Sequence, residues 1–201
     1  DFQKAIQYIS SVIDLDPLSK EAYFYRGRAK YQINDLYGSI LDYSIAIQID
    51  SNFKEAIFNR GLAREEKKDY TDALSDLKKC ELLEPNNVLI LNKLGDLFFS
   101  LGNNENANLY YSKAIEIDPI NYQARRSRIF LNVFYRNNIE SAISDCNAII
   151  TKFEDPESYY MRGFLKGKNN DLTGSVSDLT RAIELNCSEL SSAYYFRGLA
   201  K

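Results

Sequence analysis

The chain repeats itself every 34 residues, and that period narrows its possible folds more than any other feature. Glycines stand at Gly27, Gly61, Gly95 and Gly163, with Ile129 in the remaining place of the series. Pro17, Pro85 and Pro119 lie on a second series, completed by Ser51, Phe153 and Cys187. A third, Asn34, Lys68, Gly102, Arg136 and Asn170, opens a short polar break in each period. A fixed period of about 20 to 50 residues marks a stacked repeat, in which each unit covers its apolar face with its neighbour.

Between the breaks the apolar residues follow helical spacing, as in Leu36, Ile40, Tyr43 and Ile47, or Leu74, Leu77, Cys80 and Leu83. A strand would need alternation instead. Each period therefore reads as a helical hairpin with turns near the third series. The first helix carries the glycine. The second carries a small residue facing it: Ser39, Ala73, Ala107, Ala142 and Ser175. Without bulk at the crossing, two helix backbones can approach closely.

Tyr23, Gly27, Ser39, Tyr43 and Ala46 in one unit, and Leu91, Gly95, Phe98, Ala107, Tyr111, Ala114 and Pro119 in another, closely resemble the tetratricopeptide-repeat signature. The resemblance implies an all-α fold, a right-handed superhelix or α-solenoid of twelve helices. It divides 1–201 as one solenoid: a second helix of a preceding repeat over 1–19, full repeats over 20–53, 54–87, 88–121, 122–155 and 156–189, and a first helix over 190–201. Each end then cuts a hairpin in half, so the chain reads as a fragment whose ends are covered by further repeats or a neighbouring chain. Two irregularities are expected. Ile129 replaces a glycine and Ala142 comes one residue late, which puts an extra residue in the turn around 136–138 and predicts a looser hairpin. Gly198 falls 35 residues after Gly163, so the junction over 186–191 also carries an extra residue.

Composition excludes several functions. No run approaches the 18 or so apolar residues of a membrane helix, and the first residues lack a secretory pattern. The reading is a soluble intracellular protein, cytoplasmic or associated with a ciliary or other assembly. The 201 residues contain no histidine, and Cys80, Cys146 and Cys187 are far apart, so neither a zinc site nor a disulfide framework is expected. A formal net charge of -3 lacks the basic footprint of nucleic-acid binding. No cofactor is implied, and the scattered carboxylates read as solvated surface rather than a catalytic dyad.

One pattern goes beyond the family signature. An arginine precedes the glycine in Arg26, Arg60 and Arg162, where the family more often has leucine, and an aspartate follows 16 residues later at Asp42, Asp76 and Asp178. Arg128 and Asp145 are 17 apart, as the extra turn residue requires. The third repeat has Leu94 and Tyr110 instead. Loss of the two together marks them as partners, because an arginine at a packed crossing needs a counter-charge. Four structural ion pairs are expected.

The resemblance also places a concave surface on the first helices. It includes Phe24, Arg28, Tyr31, Phe58, Leu62, Asn92, Asp96, Phe99, Arg126, Phe130, Tyr160 and Phe164, with Asn59 and Lys93 beside them. Aromatic anchors of this kind suit protein contact. The expected binding set is Phe24, Arg28, Phe58, Asn59, Lys93, Phe99, Arg126, Tyr160 and Phe164. The chain is thus read as a non-enzymatic scaffold holding an extended or helical segment of a protein partner within a larger assembly. One alternative is a co-chaperone for heat-shock protein C-termini, although of its two-carboxylate clamp only Asn59 and Lys93 survive. Another is the substrate-recruiting arm of an enzyme encoded outside this segment. An RNA-reading repeat is opposed by period and charge.

Overall fold

The computed structural model describes residues 1–201 as twelve helices with no strand. They form two compact units, Asp1–Asn103 and Asn104–Lys201. The first contains α1 (Phe2–Leu15), α2 (Lys20–Gln32), α3 (Leu36–Ile49), α4 (Lys54–Glu66), α5 (Tyr70–Leu83) and α6 (Val88–Ser100). The second contains α7 (Asn104–Ile117), α8 (Tyr122–Phe134), α9 (Ile139–Phe153), α10 (Pro156–Lys168), α11 (Leu172–Glu184) and α12 (Leu190–Ala200).

Helix starts follow local chemistry. Ser19, Asp35, Asn87, Asn121, Asn138, Asp155 and Asp171 each cap a helix by accepting from a backbone N–H of its first turn. Pro156 stands at the first helical position of α10, where its missing N–H costs nothing. The hairpin turns take left-handed backbone at Asn34, Lys68, Gly102, Asn137 and Asn170. Four of these are members of the polar series. In the fourth hairpin the left-handed residue is Asn137 rather than Arg136, because residues 135–138 make a turn of four where 33–35, 67–69 and 169–171 make turns of three.

Within each unit every helix packs on the next one in the chain, and first helices also meet one another, α2 with α4 and α10 with α12. The glycines sit where helices cross. A Cβ added at Gly27 would lie 2.8 Å from the Tyr43 ring and 3.2 Å from the Ser39 carbonyl oxygen, and one at Gly163 would meet Leu179 Cγ at 2.8 Å. In the fourth hairpin Ile129 fills the corresponding place and is buried against Ala142, Cys146, Ile149 and Leu165. The added turn residue accompanies that bulk. At the last junction Asn186 is left-handed and Cys187 is buried in a cluster with Leu179, Ala182 and Ala193.

Candidate partner-binding site

Each arginine of the series meets its aspartate with two parallel N–H donors. Arg26 Nε and Nη2 donate to Asp42 at 2.9 and 2.7 Å, and Arg60 to Asp76 at 2.9 and 2.6 Å. Arg128 reaches Asp145 at 2.8 Å through both nitrogens, and Arg162 reaches Asp178 at 2.7 and 2.5 Å. The aspartates are buried and the arginine side chains keep 17–18% exposure, so the carboxylate bears most of the desolvation. The hydrogen bond to Asp42 holds the Arg26 guanidinium above its ordinary pKa, and Asp178 does the same for Arg162.

Sequence reasoning missed two further partners. A second cation reaches every aspartate: Lys30 to Asp42 at 2.8 Å, Arg64 to Asp76 at 2.6 Å, Arg125 to Asp145 at 2.5 Å and Lys166 to Asp178 at 2.9 Å. The third arginine nitrogen, Nη1, donates to an oxygen of the preceding second helix, on Ser10, Ser44, Ser112 or Asn147. Each arginine therefore ties two successive hairpins together. The signal was present: Lys30, Arg64 and Lys166 stand four residues after the arginine, and the third repeat has Phe98 there and Lys78 in the serine place. All four members change together. Arg197 Nη1 lies 3.5 Å from Thr180 Oγ1 and continues the series on α12.

The expected binding residues fall in different surroundings. Phe24 is buried, packed against Tyr25, Tyr43 and Phe53 at ring-centroid distances of 5.1 to 5.9 Å, so it builds the core and presents no contact face. Arg28 is exposed beside it, 5.8 Å from the Phe24 ring. Phe58 and Asn59 line a cleft of about 230 Å³ with Leu89 and Ile90, where Lys54 and Glu84 pair with each other. The Asn59 amide donates to the Glu55 carbonyl at 2.7 Å, which uses one of its two donors.

Tyr31, Leu62, Glu65, Glu66 and Lys93 line a second cleft of about 440 Å³. There the Lys93 ammonium lies 3.7 Å from Glu65. Burial nevertheless raises the Glu65 pKa, Lys93 opposing it and Asp96 adding to it. The Tyr31 hydroxyl is pushed up to about 12, first by its hydrogen bond to Glu66 and then by burial. Phe99 is half-buried on α6.

In the second unit, Arg126 and Tyr160 share a cavity with Phe130 and Met161. Phe164 packs against Phe196 with the rings tilted by 60° and their centroids 4.9 Å apart, and it lines a separate, largely apolar cleft with Leu172 and Leu199. Cys80 and Cys146 are buried free thiols, pushed up to about 12 by burial first and by Asp76 and Asp145 respectively next. No helix is long and apolar enough to cross a membrane.

Residues 54–87 and 89–121 match the tetratricopeptide repeat family. Among solved structures, YrrB, described as a TPR protein with an unusual peptide-binding site, is 17% identical, with 90% of this chain and 94% of that one covered at a TM-score of 0.74. The Pseudomonas aeruginosa pilF protein is also 17% identical, with 100% and 90% covered at 0.74. MamA is 23% identical, with 77% and 90% covered at 0.73. No curated protein matches the chain in sequence. The class is that of helical-repeat proteins built from hairpins. Within it, the hairpins over 54–87 and 89–121 are those that match the tetratricopeptide repeat. That fold supports a general role as a protein-interaction scaffold, with proteins as partners.

Proposed function

We propose that the chain binds an extended or helical segment of a protein partner along its first helices, as one component of a multi-protein assembly. The carrying observation is that clefts in both units open between consecutive first helices and are lined by their side chains: Phe58 and Leu89 in one, Leu62 and Lys93 in another, Phe130 and Tyr160 in the third. Aromatic and aliphatic groups supply the contact area, while Arg28, Asn59, Lys93 and Arg126 orient the partner. YrrB, by its description, has a peptide-binding site, which supports reading such a face as a groove. The division into a leading second helix over 1–19, five repeats over 20–189 and a first helix over 190–201 belongs to the same proposal. So does an intracellular, cytoplasmic location.

The clamp alternative is weakened by the same geometry. Lys93 lies against Glu65 and Asn59 has spent a donor on Glu55, so neither is held ready for a partner carboxylate. Photo-crosslinking amino acids at Phe58 and Tyr160 test the reading, with the exposed second-helix positions Tyr37 and Leu82 as controls. In the native assembly, partner adducts should form from the first pair. Adducts confined to Tyr37 and Leu82 would sink the proposal.

A further inference from the structure

The second unit has a cavity of about 210 Å³ between α8, α10 and the start of α12. Ile129, Phe130, Tyr160 and Met161 give it apolar walls. Three carboxylates, Asp155, Glu157 and Glu189, line it against a single cation, Arg126. It is smaller than the roughly 300–1,000 Å³ pockets that take small molecules or cofactors, so it suits one side chain of a bound segment.

The carboxylates are positioned by neutral donors. Asp155 caps α10 by accepting from Ser158 N at 2.8 Å and also accepts the Tyr122 hydroxyl at 3.0 Å. Glu157 accepts from Ser188 N at 3.0 Å. Glu189 is exposed at the head of α12 and makes no capping bond. None of these donors brings a charge, so the cavity keeps an excess of two negative charges after Arg126 is counted. The cleft around Phe58 differs, because there Lys54 pairs with Glu84.

We propose that this cavity takes an apolar side chain of a partner segment whose adjacent residue is lysine or arginine, the cation lying against Asp155, Glu157 and Glu189. A segment with aspartate or glutamate in that place would meet like charge instead, and complementarity of this kind sets specificity. The proposal rests on the first-helix reading and adds the chemistry of the ligand.

A positional library of acetylated, amidated decapeptides, each with a fixed leucine beside one varied residue, tests it. The protein is the 201-residue chain, as wild type, as Glu189→Gln, and as Glu157→Gln with Glu189→Gln. Glutamine retains an acceptor for Ser188 N, and thermal melts check that the variants fold. Wild type should enrich lysine and arginine at the varied place. The best peptide, measured alone by fluorescence anisotropy, should lose up to about five-fold in affinity per carboxylate removed, with a smaller loss in high salt. Enrichment of acidic or neutral residues, or a basic preference untouched by both variants, overturns the proposal. If those peptides still lose affinity in Phe130→Ala or Phe58→Ala, the first-helix reading stands without it. Failure of every peptide to bind also overturns the proposal, while crosslinking from Phe58 and Tyr160 decides the broader reading separately.

Discussion

Replacing Arg60 with leucine probes how the hairpins are tied together. Arg60 gives Asp76 two charge-assisted donors at 2.9 and 2.6 Å, and Asp76 is only 4% exposed in its side chain. Removing the sole partner of a buried charge costs about 3–5 kcal/mol. Asp76 has a second partner, however, because Arg64 Nη1 donates to it at 2.6 Å. Arg60→Leu therefore leaves the carboxylate neutralised, and the loss should be about 1.5–3 kcal/mol, the range for hydrogen bonds to charged groups. Arg64→Leu alone should cost less, since it removes one donor to Asp76 rather than two. The double variant strands the carboxylate, and its loss should exceed the sum of the singles by about 0.5–3 kcal/mol. Urea unfolding followed by circular dichroism and tyrosine fluorescence provides the measurement, with coincident curves required before free energies are compared. Additive losses would refute the idea that two cations share one carboxylate. A fourfold change that copies the third repeat, Ser44→Lys, Arg60→Leu, Arg64→Phe and Asp76→Tyr, should regain most of the double variant's loss.

Three further outcomes are expected. Lys68 holds left-handed backbone at φ 66° where the next hairpin has Gly102, so Lys68→Gly should stabilise the chain by about 0.5–1 kcal/mol in the same unfolding assay. The folded-state pKa of Glu65 is raised above its ordinary value of 4.5, so its ionisation opposes folding and stability falls as pH rises from 4.5 through the folded pKa. Glu65→Gln should therefore raise the melting temperature at pH 7 and make little difference below pH 4, and an equal gain at both would refute the burial argument. The thiols of Cys80 and Cys146, buried and pushed up to about 12, should resist alkylation by iodoacetamide at pH 7.5 until the chain unfolds.

The helices and their turns were legible because backbone constraints repeat with the sequence. A polar break recurs wherever a left-handed residue closes a hairpin, and the single displaced break, at Asn137, follows from one inserted residue. The Arg and Asp series could be read for a related reason: both positions face the same crossing, so a change at one removes the other's two-bond partner. The second cation escaped notice because Lys30, Arg64 and Lys166 look like ordinary solvated residues one turn further along. Arg125 lies three residues before Arg128 instead, where Asn132 holds the usual place and donates to Ser141. Phe24 and Phe58 occupy the same repeat position and read alike in sequence, yet Phe24 is buried and Phe58 lines a cleft. The ring of Phe53 packs on Phe24 at 5.1 Å, whereas the corresponding residue beside Phe58 is Asn87, which offers no ring to cover it.

That contrast separates the residues that build the scaffold from those that choose its partner. A residue that recurs every 34 residues together with its partners is constrained by the same neighbours each time. The Ser, Arg, cation and Asp set shows this, since one repeat departs from it at all four places together. First-helix residues lining the clefts face no such recurring neighbour. One cleft pairs Lys54 with Glu84 beside Phe58, whereas the cavity beside Tyr160 and Met161 sets three carboxylates against one arginine. Specificity should therefore reside in the charge balance of each cleft, which differs from one pair of first helices to the next. Exchanging Asp155, Glu157 and Glu189 should change which segment is preferred, whereas exchanging a member of the ion-pair series should change stability first and preference only through unfolding.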